Sequence, residues 1–106
     1  CAYNCCKVRA IATAACRMAG NGMDFVRRVA EQCGLQLEVI DGAEEAGLNL
    51  KGAVMNSKGL APYVVVYDLG GGSTEITLAT NDAEQKILYT VSIPWGARNA
   101  AESLYR

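Results

Sequence analysis

Between Tyr63 and Thr80 the chain reads "YVVVYDLGGGSTEITLAT". An apolar run ends on a carboxylate, Asp68, and then come three glycines, Gly70, Gly71 and Gly72, followed by Ser73, Thr74 and Glu75. These residue types suit anion chemistry. Adjacent glycines can adopt positive φ and let a ligand touch the backbone. Successive N–H groups in such a turn form an anion-binding nest. Asp68, at the end of a strand, is placed to hold a hydrated Mg²⁺ beside a bound phosphate. Ser73 adds a hydroxyl. Glu75, on the returning strand, could hold the metal or orient a water, and the sequence leaves both roles open. The turn is not a Walker loop, because GxxxxGK[ST] is absent. Nor is it a dinucleotide fingerprint, because a strand follows it and not a helix. A plain hairpin with a glycine bulge explains the glycines but leaves Asp68, Ser73 and Glu75 unexplained.

Arg17 is the second position of interest. Its guanidinium offers a planar fork of donors that suits phosphate oxygens, and the alternative is a solvated charge on a short helix. Glu44 and Glu45 form a third, in the first turn of a helix, where the dipole favours acids.

The elements that must position these groups can be read from periodicity. "VRAIAT", 8–13, is a short β-branched strand, and Thr13 can cap the helix "AACRMAG" that follows. Asn21 opens the next helix with Asp24 as its capping-box partner. Phe25, Val26, Val29, Ala30 and Cys33 share one face of it, and Gly34 ends it. "LQLEVI", 35–40, alternates as a strand, and a helix then runs from the turn at Asp41 and Gly42 to about Met55. "NSKGLAP", 56–62, reads as a linker. "YVVVYDL", 63–69, is a continuous apolar strand of the kind found where both faces are covered. Two more strands follow, the second over 86–93, with the polar turn "NDAEQ" between them. Pro94 and Gly96 break the last strand before a helix begins. Strand–helix alternation followed by a three-strand meander predicts an α/β fold in two subregions.

Composition narrows the function classes. The 106 residues suit one domain or a piece of one, and 51% hydrophobic with 20% charged residues predicts a folded chain. Ten basic and eleven acidic residues give a net charge of −1, without the basic stripe of a nucleic-acid binder. No apolar run reaches the roughly 20 residues that span a bilayer, so no membrane partner is expected. Five cysteines and no histidine argue against a closed disulfide framework or a zinc site. Reduced thiols acting as small apolar fillers in a cytoplasmic protein are expected. The chain starts at Cys1 and stops at Arg106 within a helical pattern, so a segment of a longer protein is expected.

"DLGGGSTE" resembles the phosphate loop of the actin-like ATPase superfamily, an element shared by chaperones, sugar kinases and phosphatases. Three further stretches single out one branch. "ATAACRMAGN", 12–21, "VIDGAEEAGL", 39–48, and "SIPWGARNAAE", 92–102, are similar in order and spacing to segments of the exopolyphosphatase / guanosine pentaphosphate phosphohydrolase (Ppx/GppA) family. The resemblance runs from Val8 nearly to the end. Gly47 departs from it, standing where the family usually has arginine, and the family's amino-terminal D-x-G-S-N loop is absent.

The resemblance implies an actin-like ATPase (ribonuclease H-like) fold spanning parts of two lobes. Residues 1–55 would be the end of the first lobe, 56–62 a linker, and 63–106 the start of the second. It implies a Mg²⁺-dependent phosphoanhydride hydrolase of the stringent response. Such an enzyme releases terminal orthophosphate from polyphosphate or converts pppGpp to ppGpp, and the full-length protein could be a homodimer. Glu45 matches the position of the general base, facing Asp68 across the interlobe cleft. Arg17, Gly70, Gly71, Gly72 and Ser73 match phosphate contacts and Asp68 the metal position, with Glu75 either holding the metal or orienting the water. Arg98 reads as a surface arginine, and Trp95 as a core or lobe-packing residue. Two alternatives are a nucleotide-binding lobe of an actin-like chaperone or sugar kinase, and a catalytically inactive fragment. The first would lack the Arg17 and Glu45 segments.

Overall fold

The computed structural model describes residues 3–55 and 60–105, so most of the expected linker, 56–59, lies outside the described residues. The chain forms two compact units, Cys1–Asp41 and Gly42–Arg106.

The first unit is a small βαβ arrangement. Strand β1 (Ala10–Ala12) pairs in parallel with β2 (Leu37–Val39), Ala10 opposite Leu37 and Ala12 opposite Val39. Parallel neighbours require a crossover. Here it is made by helices α1 (Ala14–Met18) and α2 (Gly22–Cys33). Arg9 and Glu38 close the exposed side of the strand pair with a two-pronged ion pair, 2.6 Å at its shortest. That hydrogen bond from Arg9 holds the Glu38 carboxyl below the usual range.

The junction of α1 and α2 is tight. A Cβ on Gly22 would lie 2.0 Å from the Cys16 carbonyl oxygen, so only glycine fits there. Gly34 ends α2 as expected, with φ +67° and its N–H on the Ala30 carbonyl at 3.0 Å. The expected side-chain caps do not form. Neither Thr13 nor Asn21 caps its helix through its side chain, and Asp24 pairs with Arg27 at 3.2 Å. Thr13 serves through its backbone carbonyl, which accepts from the Cys16 and Arg17 N–H groups. The buried stripe of α2 is also narrower than expected: Val26, Val29 and Ala30 are half-buried, whereas Phe25 and Cys33 are exposed. Cys5 and Cys6 are exposed free thiols as well, so the filler role fails for these three cysteines, while Cys16 is partly covered.

The second unit is an antiparallel meander with one helix on it. Strands β3 (Tyr63–Leu69), β4 (Thr74–Thr80) and β5 (Ile87–Ile93) pair in that order. Helix α3 (Gly42–Ala53) covers one face, and α4 (Ala97–Leu104) follows β5. The core sits under α3: Leu50, Val54 and Ala79 are buried, with Val64, Val66 and Ile87 packed around them. One helix can cover only one face. The apolar run of β3 is therefore not buried on both sides within this unit. Its burial alternates, and Val65, Tyr67 and Leu69 lie exposed beside Tyr89.

The β4–β5 ladder carries one extra residue. Leu78 pairs with Tyr89 but Ala79 with Ile87, so Leu88 is bulged. The turn beyond it is built on Asp82, whose Oδ1 accepts from the Thr80 hydroxyl and from the Glu84 and Gln85 N–H groups at 3.0–3.1 Å. Gln85 takes φ +51° to close it. Among the described residues no helix is long and apolar enough to cross a membrane.

Candidate functional site

The core-facing side of the meander changes character along its length. The first row across the three strands is Val64, Ala79 and Ile87, and it is apolar. The second is Val66, Thr77 and Thr90, in which the two hydroxyls share a hydrogen bond of 3.1 Å. The third is Asp68, Glu75 and Ser92. Period-two alternation puts all three rows on one face. The two carboxylates named from the sequence are therefore direct cross-strand neighbours, at the end of the sheet where the chain turns.

Two donors reach this pair from either side. Asn49 Nδ2 donates to Asp68 Oδ2 from α3. The Ser92 hydroxyl donates to Glu75 Oε1 from β5 at 2.8 Å. Sequence reading names neither donor, since the contacts depend on register and helix docking. An open groove of about 340 Å³ lies alongside, lined by Asn49, Gly52, Val66, Tyr67 and Asp68.

The glycine turn is held from outside. Gly70 N–H donates to the Ser73 carbonyl at 2.9 Å. The Gly70 and Gly71 carbonyls accept from the Ala97 and Arg98 N–H groups of α4, both at 2.9 Å. The first donors of α4 are thus spent on the turn. Among the described residues the Gly71 and Gly72 N–H groups make no backbone hydrogen bond and can serve an anion. The expectation of positive φ is corrected: among the described glycines only Gly34 has it. What the turn needs is room. A Cβ on Gly96 would meet the Gly70 oxygen at 2.5 Å and the Gly71 carbonyl carbon at 2.6 Å.

Glu45 stands in the first turn of α3, half-buried, while Glu44 is exposed. Glu45 and Asn49 are four residues apart and so share a stripe of the helix. α3 and β3 both belong to the second unit, which puts Glu45 and Asp68 in one compact unit. Arg17 belongs to the first unit, where its Nη1 donates to the Ile40 carbonyl at 2.5 Å and ties α1 to the end of β2. Arg98 is on the surface as expected, but it is paired with Glu102 at 2.8 Å. Trp95 does not pack into a core; it is 52% exposed.

The family profile of the Ppx/GppA phosphatase family matches residues 2–106. An exopolyphosphatase-like protein of known structure is 32% identical, with a TM-score of 0.77, over 90% of this chain and 30% of its own. The Aquifex aeolicus member of the Ppx/GppA family is 34% identical, with a TM-score of 0.68, over 91% of this chain and 30% of its own. An exopolyphosphatase from Cytophaga hutchinsonii is 29% identical, with a TM-score of 0.77, again over 91% of this chain and 30% of its own. The chain thus spans about 30% of the length of these proteins. Its fold is the α/β, actin-like ATPase fold expected from the sequence, and the chain belongs to the Ppx/GppA phosphatase family.

Proposed function

We propose that the protein containing this chain is a cytoplasmic phosphoanhydride hydrolase. It would release terminal orthophosphate from polyphosphate or convert guanosine pentaphosphate to the tetraphosphate. The observation that carries this reading is the cross-strand pair Asp68 and Glu75 at the head of the glycine turn, in a chain of a phosphatase family. On this reading the chain carries parts of two lobes, and α3 packs with the strands of the second.

The donor set fits Mg²⁺. That ion takes hard oxygen ligands, usually one or two carboxylates together with waters and substrate phosphates. Asp68 and Glu75 would hold it, and once bound it would neutralise phosphate charge. The chain's own groups supply the rest. The Gly71 and Gly72 N–H groups and the Ser73 hydroxyl would cradle the anion, with Arg17 as a further phosphate contact. Glu45 is the proposed general base. It would take a proton from the water as the water oxygen attacks the terminal phosphorus, while the bridging P–O bond breaks and its electrons leave with the shortened chain. The half-burial of Glu45, on the stripe that reaches Asp68 through Asn49, favours it over the exposed Glu44.

The test is phosphate release by the full-length protein from both substrates. In Glu45→Gln, turnover should fall by roughly 10²–10⁴ with substrate affinity near normal, whereas Glu44→Gln should be nearly silent. Release at the buffer-blank rate on both substrates would remove the enzymatic reading. Equal modest losses in the two variants would move the base elsewhere.

A further inference from the structure

We propose that Asn49 and Ser92 are positioning residues that fix the orientation of the Asp68 and Glu75 carboxylates for a divalent cation. This rests on the cation reading above and extends it to two side chains with no role there.

Like charges directly opposite one another on neighbouring strands repel. Asp68 and Glu75 stand in that relation. Each is met by one neutral donor, from opposite sides: the Asn49 amide from α3, and the Ser92 hydroxyl from β5 at 2.8 Å. Each donor engages a single oxygen, Asp68 Oδ2 or Glu75 Oε1. Among the described residues Asp68 Oδ1 and Glu75 Oε2 accept no hydrogen bond, so one oxygen of each carboxylate is left for a cation. Donors behind metal-binding carboxylates orient them, and losing one costs about 10–100-fold in metal affinity or activity. Asn49 has a further consequence. It lies one turn beyond Glu45, so the grip on Asp68 also sets how the helix carrying the proposed base sits on the strand.

The test uses Mn²⁺ as the probe, titrated into the 106-residue chain and read as free Mn²⁺ by electron paramagnetic resonance, with melting followed by circular dichroism. Ser92→Ala and Asn49→Leu should each weaken Mn²⁺ binding about tenfold or more. Ser92→Thr, which keeps the hydroxyl, should bind like the unmodified chain. Asp68→Asn should bind least. If Ser92→Ala and Asn49→Leu bind Mn²⁺ as the unmodified chain does while Asp68→Asn does not, the cation site stands and the positioning role is overturned. If the unmodified chain binds no Mn²⁺, or Asp68→Asn binds it equally well, the cation site itself fails. Should Asn49→Leu not fold, the Ser92→Ala and Ser92→Thr pair decides, because Ser92 is exposed and its loss leaves the core intact.

Discussion

Gly96 has no side chain, but two backbone segments meet against it. A Cβ there would press on the Gly70 and Gly71 carbonyls at 2.5–2.6 Å, and backbone cannot swing aside as a flexible side chain can. Those same carbonyls take the first N–H groups of α4. Gly96→Ala should therefore destabilise the chain by about 1–3 kcal/mol and disturb the turn. Gly71→Ala should cost less than about 0.5 kcal/mol, because its Cβ would meet only Arg98 Cβ at 3.9 Å. Urea midpoints for the two variants check this. Equal shifts would mean that the close approach is not what selects glycine at position 96.

Among the elements, the turn between β4 and β5 carries its own pH dependence. The Thr80 hydroxyl, the largest cause, and the Gln85 and Glu84 N–H groups bond to the ionised Asp82 and lower its pKa below the ordinary value of 3.8. A carboxylate with a depressed folded-state pKa adds stability that is fully present above its unfolded pKa. That stability is lost as pH falls through the folded one. Melting temperature should thus drop on acidification below about pH 4, and Asp82→Ala should remove part of that drop. Identical acid limbs in the two proteins would remove Asp82 from the account. In α3, Leu50 is 2% exposed at the centre of the core, so Leu50→Ala should cost about 2–5 kcal/mol in denaturant unfolding. Local signals explain which elements are legible in the sequence. The limits of β3 follow from an apolar run between a proline and a glycine cluster, and the end of α2 follows from Gly34. Asp68, the glycines and Glu75 stand out for the same reason. Asn49, Ser92 and the partner of Gly96 do not. They become neighbours of the turn only through strand register and helix docking, which link residues 17–26 positions apart. The caps at Thr13 and Asn21 fail for a related reason: composition proposes a cap, but backbone geometry decides it.

On the scale of the whole molecule, the meander leaves one face apolar and open within its unit. Tyr67 is 71% and Leu69 67% exposed on it. Contiguous apolar surface of this kind drives association. The 106-residue chain should self-associate with rising concentration, and Tyr67→Lys with Leu69→Lys should suppress this with little change in melting temperature. Sedimentation velocity tests it; unchanged association in the double variant would place the sticky surface elsewhere. The bulge at Leu88 governs how this open face relates to the carboxylate row. It acts as a frameshift between two halves of the β4–β5 ladder: Ile87 and Ser92 both lie on the core-facing rows although four residues, 88–91, separate them. Excising Leu88 should therefore restore a regular ladder with both ends still facing correctly. Excising Leu88 and Tyr89 together would instead force one end to invert, sending Ser92 to the apolar face and Val91 and Ile93 toward the carboxylates.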